Sequence, residues 1–140
     1  MSVYAYIKFD GNCREAVKFY RQVFGTEDPE IMTFGEAPPD PEFPIQDEHK
    51  HLVLHTGLNI FGTTVMFSDH LPGESLVKGN NISLAVMMQN IDDIKSIFDK
   101  LKEGGSVEME LQETFFSKCY GSLKDKFDII WQIMHDDGEM

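Results

Sequence analysis

The chain is 140 residues long and 41% hydrophobic, with 11 Phe and a formal charge of −12. A chain of this length buries roughly 68% of its unfolded surface, so a core needs no disulfides, and the apolar content argues against disorder. The acidic balance and scattered Lys and Arg exclude a nucleic-acid partner, and no apolar run is long enough to span a membrane.

In chain order, Tyr4–Phe9 reads as a strand. Asn12 then offers a helix cap, with Glu15 placed to complete a capping box. Ala16, Phe19, Tyr20, Val23 and Phe24 recur at helical spacing, and Gly25 ends the helix because it tolerates left-handed geometry. Glu30–Phe34 is extended. Gly35–Glu48 places Pro38, Pro39, Pro41 and Pro44 among acids, and proline lacks the donor that a central strand needs. That segment is a long loop, read either as a lid or partner-binding arm or as a surface insertion. Lys50–Thr56 and Thr63–Asp69 are strands separated by a hairpin-like break at Gly57–Gly62, and Leu71–Gly79, with Pro72-Gly73, is an ordinary connection.

The order then repeats. Asn81–Gln89 is a strand, followed by a helix at Asn90–Lys102 with Asn90 as cap and Asp92 and Asp93 in its first turn. Ile91, Ile94, Ile97, Phe98 and Leu101 form its apolar stripe, Gly104-Gly105 follows, and Ser106–Leu111 is extended. Ser117–Lys124 and Ile129–His135 make a terminal strand pair joined through Asp125–Asp128. Each half therefore reads β-α-β-β-β. The expected fold class is α+β: two paired βαβββ modules, about 1–70 and 80–140 of a single domain, forming curved mixed sheets around a central cavity with the helices outside.

The motif Phe9-Asp10-Gly11-Asn12-Cys13-Arg14-Glu15-Ala16-Val17-Lys18-Phe19-Tyr20, followed by Val23-Phe24-Gly25, resembles the opening of one known family. It is the PhnB-like branch of the glyoxalase/bleomycin-resistance/dioxygenase, or vicinal oxygen chelate, superfamily. His51-Leu52, Ser68-Asp69, Gly104-Gly105, Gln112-Glu113-Thr114-Phe115, Gly121, Asp125-Lys126-Phe127 and Trp131 follow in the order that branch shows. The resemblance spans nearly the whole chain and implies paired βαβββ modules, frequently assembled as homodimers. Two positions depart from the pattern: Phe116 stands where the branch usually has Trp, and Asp128 where it usually has Gly. The superfamily includes lyases, ring-cleaving dioxygenases, thiol transferases and metal-free drug-binding proteins, so the fold alone names no reaction. Sequences of the branch are also labelled demethylubiquinone methyltransferase-like, but the chain has no glycine-rich strand-turn-helix for a methyl donor.

Metal-dependent members of the superfamily carry His, Glu or Gln on the first and last strands of their modules. Here Tyr4–Phe9 and Ile82–Met88 supply none, and the last strand offers only Gln132 and His135. No cofactor is therefore expected. If a divalent metal does bind, its ligands are His51 and His55, which alternate with Val53 on one strand face, together with Glu113. Otherwise the histidines hydrogen-bond locally or face solvent. Glu113 is also the candidate acid-base residue, with Gln112 to orient a substrate; the alternative for it is a local role at the turn before Phe115.

Tyr6, Phe67, Phe115, Phe116 and Trp131 fall on or beside strands and read as an apolar wall for a small planar ligand, or as ordinary core. The expected ligand-binding set is Tyr6, His51, His55, Phe67, Gln112, Glu113, Phe116 and Trp131. Cys13 and Cys119 fit no redox or metal spacing and read as buried free thiols. With no signal-like start at Met1-Ser2-Val3-Tyr4, a soluble, cytoplasmic protein is expected. Three functions remain open: a homodimer binding a small organic molecule, a metal-dependent lyase, dioxygenase or thiol transferase, and a structural or regulatory dimer without a ligand.

Overall fold

The computed structural model describes residues 1–71, 73 and 75–136; Pro72 of the expected connection lies outside them. The chain divides into two compact units, Met1–Val77 and Lys78–Met140. The first contains β1 (Ala5–Phe9), α1 (Cys13–Phe24), β2 (Met32–Thr33), β3 (Val53–Ile60) and β4 (Thr63–Asp69). The second contains β5 (Leu84–Met88), α2 (Ile91–Leu101), β6 (Ser106–Gln112), β7 (Tyr120–Lys124) and β8 (Ile130–His135). The two sheets have the same topology, β1-β4-β3-β2 and β5-β8-β7-β6, each open and with only its first listed pair parallel. The duplicated α+β βαβββ pattern is thus present in full. Among the described residues no helix is long and apolar enough to cross a membrane.

In the first unit α1 packs on one sheet face. Phe67 of β4 is fully buried there, with its ring 6.1 Å from Phe9 and 5.7 Å from Tyr20 of the helix. The buried stripe of α1 is Cys13, Ala16, Val17, Tyr20 and Val23, so it is rotated from the expected one, and Phe19 and Phe24 lie half-buried on its flank. The expected capping box does not form: Asn12 makes no side-chain bond to the helix. The cap comes from 56 residues away, where Asp69 Oδ1 accepts the Cys13 N–H at 2.9 Å while its Oδ2 accepts the Val53 N–H at 2.9 Å. A carboxylate is the stronger acceptor and is favoured by the positive end of the helix, so it displaces the neutral amide.

The hairpin between β3 and β4 also differs from expectation. Gly57 through Ile60 belong to β3, and the turn is only Phe61-Gly62, with φ of 52° and 89°. Both angles are positive, as a two-residue turn matching strand twist requires. Asn59 Oδ1 holds the turn by accepting the Gly62 N–H at 2.8 Å, and the Phe61 ring meets Phe24 edge-on. Of the expected strand Glu30–Phe34 only Met32–Thr33 pair, and Gly35–Glu48 forms no strand.

In the second unit Asn90 does cap its helix, its Oδ1 accepting the Asp93 N–H at 3.0 Å. Ile94, Ile97, Phe98 and Leu101 are buried under α2. Gly121 of β7 lets the helix settle closely, since a Cβ there would lie 2.8 Å from Phe98 and 2.9 Å from Leu111. Ser117–Cys119 lie outside the ladder, which begins at Tyr120. Asp128 closes the β7–β8 turn at φ 69°, the left-handed geometry that Asp tolerates better than most residues.

Two outcomes follow from the buried groups at the start of α1. Asp69→Ala leaves the Cys13 and Val53 N–H groups without their acceptor, so urea denaturation should show a loss of about 3 kcal/mol, whereas an exposed-site value near zero would show that the cap is dispensable. Burial, reinforced by the Asp69 charge and opposed by Arg14, pushes the Cys13 thiol from 9.0 up to about 12. The unfolded thiol ionises first, so its contribution is complete below about pH 9 and is lost as pH rises towards about 12, by at most about 4 kcal/mol. Cys13→Ala should flatten that part of the alkaline stability curve relative to the parent protein.

Candidate functional site

The β6–β7 connection of the second unit is held as a rigid turn. The Thr114 N–H donates to the Ser117 carbonyl at 2.9 Å, and the Ser117 N–H donates back to Thr114 Oγ1 at 3.1 Å. The buried Ser117 hydroxyl lies 3.0 Å from both the Cys119 and the His135 carbonyls, which ties the turn to the end of β8. With its ends fixed, the turn projects Phe115 and Phe116 outward, at 101% and 55% exposure. Their rings meet edge-on at 5.1 Å, and Phe116 meets Tyr120 in the same way at 5.1 Å.

Beside these rings lies a cleft of about 480 Å³, bordered by Glu113, Phe115, Phe116, Lys118, His135 and Asp136. Backbone bonds position its far wall: the His135 N–H donates to Cys119 O and the Asp136 N–H to Met88 O, both at 2.8 Å. The lining therefore combines two aromatic rings with charged groups of both signs, Glu113, Lys118 and Asp136. This combination suits a small molecule with a planar apolar part and a polar head.

The structure brings some of the expected site residues together and separates others. Glu113 and Phe116 share this cleft. Gln112 ends β6 beside it, but its Nε2 turns back to donate to Glu110 O at 3.1 Å. Tyr6 and His55 are neighbours on the open face of the first sheet, with ring centroids 5.9 Å apart. Tyr6 also borders a smaller cleft of about 210 Å³ with Lys8, Phe34 and His70. Phe67 and Trp131 lie in the cores of their units, at 0% and 2% exposure. Trp131 Nε1 donates to Asp125 Oδ2 at 2.8 Å.

His51 lies in the turn before β3, where its carbonyl accepts from Arg14 Nη2 at 3.1 Å, so it does not share a strand face with His55. A guanidinium at that turn opposes a second cation. Among the described residues no three His, Cys, Asp or Glu side chains are grouped to hold a metal ion. Those present do not fit a preformed metal centre. Cys13 is no nucleophile at neutral pH, because burial keeps its thiol protonated. Lys118 and Asp136 did not stand out in the sequence; only their position beside the Gln112-Glu113-Thr114-Phe115 motif and the final strand marked them.

Comparison with known proteins agrees with this architecture. The model of a family described as 3-demethylubiquinone-9 3-methyltransferase matches residues 2–134. Protein YjdN of Escherichia coli (strain K12) is 30% identical over an alignment of 140 positions that covers 95% of this chain and 94% of YjdN. Protein PA1353 from Pseudomonas aeruginosa is a solved structure with a TM-score of 0.85 at 28% identity, covering 97% of this chain and 98% of that one. A putative 3-demethylubiquinone-9 3-methyltransferase, PhnB protein, from Bacillus cereus has a TM-score of 0.75 at 26% identity, covering 97% and 100%. The matched span takes in both βαβββ units with their Asp69 and Asp125 turns, and the chain belongs to this PhnB-like family, whose model carries the description 3-demethylubiquinone-9 3-methyltransferase.

Proposed function

We propose that this protein binds a small organic molecule in the cleft between Glu113–Lys118 and the end of β8, and that it does so as a homodimer. The observation that supports this reading is the pair of exposed rings, Phe115 and Phe116, held on a hydrogen-bonded turn at the cleft's rim. Apolar side chains displayed on a rigid element beside charged groups are a common mark of a binding surface. In this reading the ring of Phe116 stacks a planar part of the ligand. Lys118 and His135 meet an anionic head group, while Glu113 and Asp136 set its orientation by repulsion. A planar ring is also the shape of the quinone that the family's description names.

The test uses 2-naphthoate, a planar ring bearing one carboxylate, followed by thermal shift and titration calorimetry. Binding should raise the melting temperature, and Phe116→Ala should weaken it about tenfold while lowering the unliganded melting temperature only modestly, because the ring is 55% exposed and loses its edge-on contacts with Phe115 and Tyr120. Unchanged affinity in that variant would refute this placement of the ligand. Exhaustive dialysis against a chelator should leave the affinity unaltered; a retained, stoichiometric ion whose removal abolishes binding would favour the metal-dependent enzymes of the superfamily instead.

A further inference from the structure

The acidic, proline-rich loop at residues 35–48 lines no part of the cleft beside Phe116. Its two ends are fastened together. The Phe34 N–H donates to Leu52 O at 3.0 Å and the Gly35 N–H to Lys50 O at 2.9 Å, so close that a Cβ on Gly35 would lie 2.9 Å from the Lys50 side chain. Short 3-10 turns at Phe34–Glu36 and Asp47–His49 frame the segment, the second braced by the Asp47–Lys50 ion pair at 2.7 Å. Between these turns residues 38–44 are all exposed.

The tip of the loop is ordered by its own chemistry. Asp40 O accepts the Phe43 N–H at 3.1 Å, and Asp40 Oδ1 accepts the Glu42 N–H at 3.0 Å. Asp at the first position and Pro41 at the second favour such a β-turn, because the carboxylate bonds to the backbone two residues on and proline presets φ. Pro44 then confines Phe43, the residue before it, to extended backbone. The result is a ring at 71% exposure on a closed turn. A phenyl group held in this way has most of its apolar surface still in water and loses little freedom on entering a pocket. Aromatic side chains are enriched at the cores of protein interfaces for that reason.

Charge around the ring selects the partner. Glu36, Asp40, Glu42, Asp47 and Glu48 share the loop, which contains no Lys, Arg or His. A second copy of the chain, at a formal charge of −12, is repelled, and so is an anionic lipid surface or a nucleic acid. A small ligand needs an enclosing concavity, which a run of exposed residues does not offer. A cationic protein surface satisfies both requirements, the buried ring and the neutralised carboxylates. We infer that residues 38–44 form a docking arm for another protein, one that offers Phe43 a pocket a single ring wide within a rim of Lys and Arg.

The full chain is produced in its native host with the photo-cross-linker p-benzoylphenylalanine at position 43, and adducts formed on irradiation are identified by mass spectrometry. One discrete adduct with a different protein is expected. That protein is then purified and titrated calorimetrically against the full chain. Phe43→Ser should weaken binding about tenfold or more. Asp40→Asn combined with Glu42→Gln keeps an acceptor for the turn but removes two charges, and should weaken binding severalfold at low salt and little at about 0.3 M salt. Circular dichroism melts close to those of the parent are expected for both variants, because the altered side chains are exposed. An adduct of twice the chain's mass, the absence of any adduct, or an affinity indifferent to Phe43→Ser or to salt would overturn the proposal. Phe43→Ser should leave 2-naphthoate binding unchanged, since no loop residue lines that cleft, so this inference and the ligand reading fail separately.

Discussion

The carboxylate of Asp125 sets the register on which the cleft of the second unit depends. It is buried in the β7–β8 turn and accepts the N–H groups of Phe127 at 2.8 Å and Ile129 at 3.1 Å, with Trp131 Nε1 at 2.8 Å. A buried carboxylate is tolerated only when its oxygens are this well supplied with donors. Because the bonds reach from the turn into β8, they hold Leu123 opposite Trp131. Alternation then directs Trp131 and Ile133 to the core and Gln132 to the open face, and the end of β8 brings His135 and Asp136 beside the larger cleft. A slip of one residue would exchange the faces and dismantle the cleft.

The two modules use matching positions differently. In the parallel ladders Phe9 lies opposite Asp69 and Met88 opposite His135, so Asp69 and His135 are equivalent ends of equivalent strands. Asp69 turns inward to cap α1 and fasten the start of β3. In the second unit Asn90 caps α2 locally, which releases the equivalent strand end from that duty. His135 borders the larger cleft, while Asp69 keeps its capping bonds and still borders the smaller cleft beside Tyr6.

Elements governed by local chemistry were legible in the sequence. The helices at Cys13–Phe24 and Ile91–Leu101, the glycine at 25 and the β4 strand follow directly from periodicity and stop signals. Long-range constraints were not. The distant Asp69 cap is invisible to a local capping rule, and Gly57 looks like a break although it lies within β3, its missing Cβ admitting the Val65 carbonyl at close range. Phe67 and Trp131 alternate correctly on their strands, but alternation does not say which face meets the helix. The motifs that carry the family resemblance explain this imbalance. Asp69, Gly121, Asp125 and Trp131 all serve turns, caps and helix–sheet packing, so they reveal the fold and say little about a ligand. Glu113 and Phe116 were legible as site candidates because they lie in or directly beside such a motif, whereas Lys118 lies further along and belongs to none.

The exposed rings then acquire a physical meaning from their surroundings. Full burial of a Phe side chain contributes about 1.5–3 kcal/mol, and neither Phe115 nor Phe116 realises that within its own unit. A flexible loop could fold such rings back against the sheet. The reciprocal Thr114–Ser117 bonds and the anchoring of the Ser117 hydroxyl at His135 hold this turn outward instead. Because the turn is fixed before anything binds, an occupant of the cleft gains the apolar contact without a large ordering cost. Rigidity at Ser117, more than the aromatic residues alone, distinguishes this rim from an ordinary exposed hydrophobic patch.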